Sequence, residues 1–78
     1  MTDPVNSPSH YTYGNYECKD VLQDVLKNVT GYEAFCIGNV IKYLWRYKIK
    51  NGLQDLEKAQ WYLAEAIEIN KQRQVAEA

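Results

Sequence analysis

Residues 38–48 read GNVIKYLWRYK, and this stretch decides the fold and frames the functional question. It carries three large aromatic residues and three cations within eleven positions that are typical of a helix. At about 3.6 residues per turn, Asn39, Lys42 and Arg46 fall on one face. A line of amide, ammonium and guanidinium groups can bind an anion such as phosphate. The same line also fits the solvated face of a core helix, and the residues alone leave both interpretations open.

Clear signals mark both ends of this helix. Thr30 and Glu33 fit a capping box, which predicts a start at residue 31. Asn51-Gly52 supplies a residue for a left-handed helix end, so we expect the helix to run to about residue 49. Gly38 in its middle costs about 1 kcal/mol relative to Ala. We therefore expect another backbone, or a ligand, to approach the chain closely at Gly38.

The flanking segments predict two more helices and an irregular N-terminal arm. Apolar residues recur at helical spacing over 17–28, and again over 53–73. The short link at 51–52 makes the second and third helices an antiparallel hairpin. Residues 1–16 hold both prolines and several turn residues, and we expect them to form an ordered arm that packs on the helices. The prediction is an all-α, three-helix domain over 17–73 with a frayed tail over 74–78.

The third helix has an unusually wide apolar surface. A stripe at three-and-four spacing contains Leu56, Ala59, Leu63, Ala66 and Ile67. Further apolar residues beside it widen this surface, which predicts contacts with more than one neighbour. Both Trp45 and Trp61 are best explained as core or oligomer-interface residues, whereas Tyr11, Tyr13 and Tyr43 are candidates for stacking a base.

Length and composition restrict the class of protein. A chain of 78 residues forms one domain with a marginal core, and oligomerisation is a common remedy, so we expect a homo-oligomer. The formal net charge of -1 disfavours a nucleic-acid binder. No apolar run approaches the roughly 20 residues of a membrane span and no signal-peptide pattern is present, so we expect a cytoplasmic protein and no membrane partner. Cys18 and Cys36 are most simply small core residues.

Standard catalytic and metal motifs are missing from the sequence. It contains no GxxxxGK[ST] loop, no GxGxxG, no HExxH and no GxSxG. A zinc site is not specified, because there is a single histidine and no CxxC pair. The face of Asn39, Lys42 and Arg46 is thus the best remaining place to hold a phosphate.

Three further polar residues each have a functional and a structural explanation. His10 is suited to acid–base chemistry or phosphate contact near neutral pH, but spacing assigns it no partner, which favours a packing role. Asp55 lies in the first turn of the third helix, where the helix dipole explains it, and it could approach Lys48 or Arg46 across the hairpin. For Lys58, the sequence favours neither a role in a binding site nor a solvated surface position.

Several strings in this chain resemble a small phage protein family, DUF3310, also called SaV-like. They include SPSHY at residues 7–11, FCIGNVIKYLWRYK at 35–48, KNG at 50–52 and a DL-KA-WYL pattern over 55–63. The resemblance covers residues 5–67. Small departures are Asn51, where a second glycine is usual, and Glu57 at a variable position.

The resemblance implies a nucleotide-handling protein encoded by a phage. A domain of this type occurs in a phage nucleotide kinase that phosphorylates deoxynucleoside monophosphates without a Walker motif, and another member triggers a bacterial abortive-infection system. Six residues of this chain match the polar signature of the family. They are His10, Tyr11, Lys42, Arg46, Asp55 and Lys58.

The hypothesis is a deoxynucleotide-binding protein, in its strongest form a P-loop-free nucleoside monophosphate kinase. In this hypothesis His10, Lys42 and Arg46 are catalytic. The substrate-binding set is Tyr11, Asn39, Lys42, Arg46, Asp55 and Lys58. No protein metal ligands are expected, and Mg²⁺ would arrive with the nucleotide. The alternative hypothesis is a small interaction protein that binds a host or defence-system protein without catalysis.

Overall fold

The computed structural model describes residues 16–77, which form three helices and, within that range, no strand. Helix α1 spans Cys18–Val25 and continues as a 3-10 turn over Leu26–Asn28. Helix α2 spans Gly31–Arg46, followed by a second 3-10 turn over Tyr47–Ile49. Helix α3 spans Leu53–Glu77. The predicted all-α, three-helix fold is confirmed.

The predicted bounds differ from the structure mainly at helix ends. The segments 17–28 and 31–49 are each an α-helix that tightens into a 3-10 turn, a common way to satisfy terminal carbonyl groups. Helix α3 continues to Glu77, so the predicted end at Arg73 is too early. The predicted arm over 1–16 lies outside the described residues, apart from Tyr16.

The predicted capping box at the start of α2 is wrong. Thr30 occupies the N-cap position, but its side chain makes no capping hydrogen bond. The Glu33 carboxylate is instead used between helices: it accepts hydrogen bonds from Arg73 Nη2 at 2.9 Å and from Asn70 Nδ2 at 2.7 Å. These bonds tie the start of α2 to the far end of α3. A charged, two-point interaction across the hairpin therefore replaces a local cap.

The turn between α2 and α3 forms as predicted. Gly52 has a φ of 52°, in the left-handed region where a Cβ atom is unfavourable. Its N–H donates to the carbonyl oxygen of Tyr47 at 2.7 Å, which closes the end of the preceding turn. The chain thus reverses within two residues, Asn51 and Gly52. The antiparallel hairpin of α2 and α3 follows from this reversal.

Gly38 allows α1 to pack against α2. A Cβ atom at this position would lie 3.3 Å from Leu26 Cδ1 and 3.9 Å from Leu22 Cδ2. A close approach does occur at Gly38, but leucine side chains of the preceding segment make it, and not the backbone or ligand that was predicted. Helix α2 lies in the middle of the domain, since it contacts both α1 and α3.

The buried residues of the described segment are small or polar. The buried apolar residues are Cys18, Cys36, Ala59 and Ala66, and both thiols are free. This confirms the core positions predicted for the two cysteines. Burial raises the pKa of the Cys18 thiol, against the lowering effect of the Lys42 charge.

The predicted apolar stripe on α3 divides into two parts. Its alanines face α2, whereas Leu56, Leu63 and Ile67 remain exposed. Small side chains allow α2 and α3 to approach closely, and they leave the leucines outside the contact. Within residues 16–77, no helix combines the length and apolar character needed to cross a membrane.

Gly38→Leu is predicted to lower the free energy of unfolding by about 2 kcal/mol, because its side chain would overpack the space held by Leu22 and Leu26. Gly38→Ala is the matched control. Its better helix propensity, worth about 1 kcal/mol, opposes the cost of the close contact, so its stability should stay near that of the parent protein. Urea denaturation followed by circular dichroism measures both. Equal stability of the two variants would contradict the packing of α1 at this position.

Candidate anion-binding site

A buried ion pair closes the hairpin immediately after the turn. Arg46 Nε donates to Asp55 Oδ2 at 3.2 Å, and Arg46 Nη2 donates to Asp55 Oδ1 at 3.3 Å. Asn51 Nδ2 lies 3.4 Å from the same Oδ1 atom. The Asp55 side chain is fully buried and that of Arg46 nearly so, at 0% and 10% exposure. This two-point geometry suits the planar guanidinium group and fixes α2 relative to α3.

The local environment favours the ionised form of Asp55. Burial alone would raise the pKa of this carboxyl group, but the hydrogen bonds from Arg46 and Asn51 and the positive charge of Arg46 outweigh it. The net result is a pKa below the ordinary value. Asp55 is therefore a structural anion, in agreement with the expected approach to Arg46. Two nitrogen atoms of Arg46, Nε and Nη2, are thus already used in hydrogen bonds to Asp55.

Three cations meet at the ring of Tyr43. Lys42 Nζ lies 4.7 Å from the ring centroid, Arg46 Cζ 4.8 Å and Lys58 Nζ 5.5 Å. We call Lys42, Arg46 and Lys58 the cation cluster. Interactions of ammonium and guanidinium groups with the π-electrons of the ring help to hold the like charges together.

The cation cluster retains a positive charge after Asp55 is counted. Asp55 balances one of its three charges, so two remain uncompensated by that carboxylate. No carboxylate of residues 16–76 forms an ion pair with Lys42 or Lys58. Ammonium groups in this state are available donors to an anionic ligand.

An aromatic row leads from the cation cluster along the hairpin. Tyr43 stacks on Tyr62 with ring centroids 6.0 Å apart. Tyr62 and Phe35 form a T-shaped pair at 5.6 Å, and Phe35 stacks on Tyr32 at 5.9 Å. We call these four residues the aromatic row. Its outer members are open to solvent, since Phe35 is 54% and Tyr32 50% exposed. A hydrogen bond to Glu65 raises the pKa of Tyr32 to about 12, which keeps its hydroxyl group neutral.

The sequence prediction missed most of the aromatic row. It proposed Tyr43 as a stacking platform, yet that ring already contacts Tyr62 and three cations. Tyr32 and Phe35 offer more open ring surface. Their spacing from Asn39 places them on the same side of α2, and this spacing could have been used to predict them as site residues. Tyr62 could not be assigned, because it joins the row from the other helix.

The structure brings together four of the predicted site residues. Lys42, Arg46, Asp55 and Lys58 all lie at the cation cluster or its buried counter-ion. Asn39 lies one turn away, and its Nδ2 donates to the carbonyl oxygen of Phe35 at 2.8 Å, within its own helix.

Two predicted site residues, His10 and Tyr11, lie outside the described residues. Among the side chains described, those of residues 16–76, no group of three or more from His, Cys, Asp or Glu is placed to hold a metal ion. The described site offers two ammonium groups at one end of an aromatic row whose other end is open to solvent. Together these groups can bind an anion attached to a planar group.

Comparison with known proteins identifies the family of this chain. The model of a family described as protein of unknown function, DUF3310, matches residues 5–64, and the chain belongs to that family. The match includes the cation cluster, Asp55 and the aromatic row. No curated protein and no solved structure matches the chain significantly.

Asp55→Ala is predicted to destabilise the protein by about 3 kcal/mol, because it leaves the Arg46 charge buried without its counter-ion. Gln54→Ala is the matched control: this neighbouring side chain is exposed, so its loss should change stability by less than about 0.5 kcal/mol. Urea denaturation measures both variants. Similar stability of the two would contradict a structural role for the ion pair.

The pH dependence of stability should report the same ion pair. The pKa of Asp55 is lower in the folded protein than its ordinary value of 3.8, so the unfolded chain takes up the proton first. The stabilisation is present above about pH 4 and is lost as the pH falls through the folded-state pKa. Denaturation between pH 6 and 2 should therefore show a shallower loss for Asp55→Asn than for the parent.

Glu33 contributes to the same acid range, since hydrogen bonds from Arg73 and Asn70 lower its pKa as well. Both proteins should therefore carry Glu33→Gln in this comparison. Parallel pH profiles in that background would show that Asp55 is not stabilised in its ionised form.

Proposed function

We propose that this DUF3310 protein binds a deoxynucleotide, or another phosphate-bearing small molecule, at the cation cluster. The observation that carries the proposal is the convergence of Lys42, Arg46 and Lys58 on the Tyr43 ring. Gathering like charges is unfavourable unless an anion or another compensating group shares the site. Asp55 compensates one charge, and a phosphate group would compensate the other two.

The three cations would have different roles toward the ligand. Lys42 and Lys58 lie on opposite helices and could donate to a phosphate from two sides. Arg46 is bonded to Asp55 and nearly buried, so it would act chiefly through its charge and by positioning Tyr43. The sequence-derived role of Arg46 as a direct phosphate ligand is thus replaced, in this proposal, by an indirect one.

The aromatic row supports a nucleotide over a simple anion. Phe35 and Tyr32 present open rings on the same side of the hairpin as the cation cluster. Stacking of a base on an aromatic ring is worth about 1–3 kcal/mol. Asn39 lies along α2 between Phe35 and Tyr43, where a ligand joining the row to the cations would pass. A nucleotide has both required parts, a planar base and a phosphate.

The catalytic form of the proposal rests on the family resemblance. In this catalytic form of the proposal, the protein is a phage-encoded nucleoside monophosphate kinase that acts in the host cytoplasm, and His10 and Tyr11 belong to the site. Lys42 and Arg46 would stabilise charge on the transferred phosphoryl group. Mg²⁺ would be held mainly by the phosphates of the nucleotide. The cation cluster supports binding, and phosphoryl transfer is the further step.

A second candidate function is binding of a host or defence-system protein. It is favoured by the exposed aromatic residues of the hairpin, because Phe35 and Trp61 are both more than half exposed. Aromatic side chains of this kind are enriched at protein interfaces. The two functions differ in which residues they need, since only the nucleotide site depends on the lysines.

Calorimetric titration with dTMP, dGMP and ATP tests the proposed function. We expect binding of at least one of them, with Lys42→Gln and Lys58→Gln each weakening affinity about tenfold, equivalent to about 1.4 kcal/mol. Binding should also weaken as salt is raised, because the contacts are ionic. Lys27→Gln, an exposed lysine after α1, is the matched control and should bind like the parent protein.

Two results would contradict nucleotide binding at this site. The first is the absence of heat with all three nucleotides. The second is unchanged affinity in both lysine variants. Capture of one host protein that is lost in Phe35→Ala and kept in Lys42→Gln would then favour the second candidate.

A further inference from the structure

A second surface of the hairpin is apolar and uncovered within the described residues. A shallow groove between α2 and α3 is lined by Val40, Leu44, Leu53, Leu56 and Leu63, and Ile67 extends it along α3. We call this surface the leucine groove. It shares no residue with the cation cluster or the aromatic row.

The groove holds much of the apolar surface that one copy leaves in solvent. Leu53 is 71% exposed, and Leu44, Leu63 and Ile67 are each close to half exposed. The buried apolar residues of segment 16–77, in contrast, are two cysteines and two alanines. Contiguous exposed apolar surface of this kind marks an interaction site.

The spacing along α3 indicates a helical partner. Leu53, Leu56, Gln60, Leu63 and Ile67 follow one another at alternating steps of three and four. This is the a and d pattern by which one helix packs its side chains into another. The alanines that face α2 lie beside this line, so α2 does not satisfy it.

The charges that border the groove are complementary to those of a second copy of the same surface. Glu57 lines the groove, and Lys71 lies on the same flank of α3. Ala64 stands midway between them, seven residues from each, which is about 10 Å along a helix. When two copies of α3 pack antiparallel about a twofold axis at Ala64, Glu57 of each copy comes opposite Lys71 of the other. No ion pair inside the described chain engages Glu57 or Lys71.

We infer that the leucine groove binds a second copy of this chain through antiparallel packing of α3 on α3, with two Glu57–Lys71 ion pairs across a twofold axis near Ala64. The product is a four-helix arrangement of two hairpins, joined by an isologous interface. Each copy keeps its cation cluster outside this interface. The inference is independent of nucleotide binding.

Analytical ultracentrifugation of the full chain tests this pairing. The parent protein should sediment as a dimer at micromolar concentration. Leu63→Glu places a charge at the middle of the groove and should yield a monomer, with circular dichroism confirming that the helices remain. A parent protein that is monomeric at all concentrations, or a Leu63→Glu protein that stays dimeric, would overturn the proposal.

A charge exchange tests the antiparallel register without altering the groove. Glu57→Lys and Lys71→Glu should each weaken the dimer about tenfold, because each opposes like charges at both ends of the interface. The double variant restores both pairs and should recover the affinity of the parent. Asp24→Lys, an exposed position on α1 away from the groove, makes the same charge change as a control and should leave the dimer affinity unchanged. Failure of the double variant to recover would overturn the register.

If the groove binds something other than a second copy, the reactivity of a thiol placed in the groove shows what the occupant is. Leu63→Cys introduces an exposed thiol in a chain whose described cysteines are both buried. A monomer in which this thiol resists a maleimide reagent would assign the groove to another segment of the same chain, and a monomer in which it reacts would assign it to a different protein. Either result overturns the dimer.

Discussion

The ion pair between Arg46 and Asp55 is the interaction on which the hairpin depends. Both groups are buried, so neither charge can be left without the other. Two parallel hydrogen bonds fix the end of α2 against the start of α3, next to the turn at Asn51. Small errors in the rotation of either helix would break this geometry. The pair therefore sets which sides of α2 and α3 face each other.

The cation cluster is a consequence of this pairing. Tyr43 lies one turn before Arg46, and Lys58 one turn after Asp55. When the ion pair joins the two helices, it also brings Lys58 from α3 to the ring of Tyr43 on α2. Lys42 approaches the same ring from the adjacent position of α2. A structural interaction thus assembles the charges of the candidate site.

Small residues in the contact between α2 and α3 give the domain two functional surfaces. Cys36, Ala59 and Ala66 are buried, so the helices approach closely. Larger side chains project to either side of the contact. The aromatic row and the cation cluster form one surface, and the leucine groove forms another. The bonds from Arg73 and Asn70 to Glu33 hold the distant end of the hairpin, so α2 and α3 are tied together at both ends.

Local signals explain which structural predictions are confirmed. Helix positions and the Gly52 turn depend on nearby residues, and the structure agrees with them. The capping box failed because Glu33 bonds to residues some forty positions away, which no local pattern reveals. For a similar reason, the α3 stripe did not show which of its residues face α2. Ala59 and Leu63 are neighbours on the helix surface, and only the position of α2 decides that the alanine is buried.

By itself, the sequence determined the helical class, the reversal at Asn51-Gly52 and the candidate cations, because helical periodicity and turn chemistry act over a few residues. The family followed from the match of residues 5–64 to the family model. Only the tertiary structure decided that Arg46 is bound to Asp55 while Lys42 and Lys58 are not in ion pairs with described carboxylates. It also decided that Tyr62 completes an aromatic row begun on another helix. Burial and long-range pairing depend on how whole helices rotate against each other, and that rotation is fixed by contacts between residues far apart in the chain.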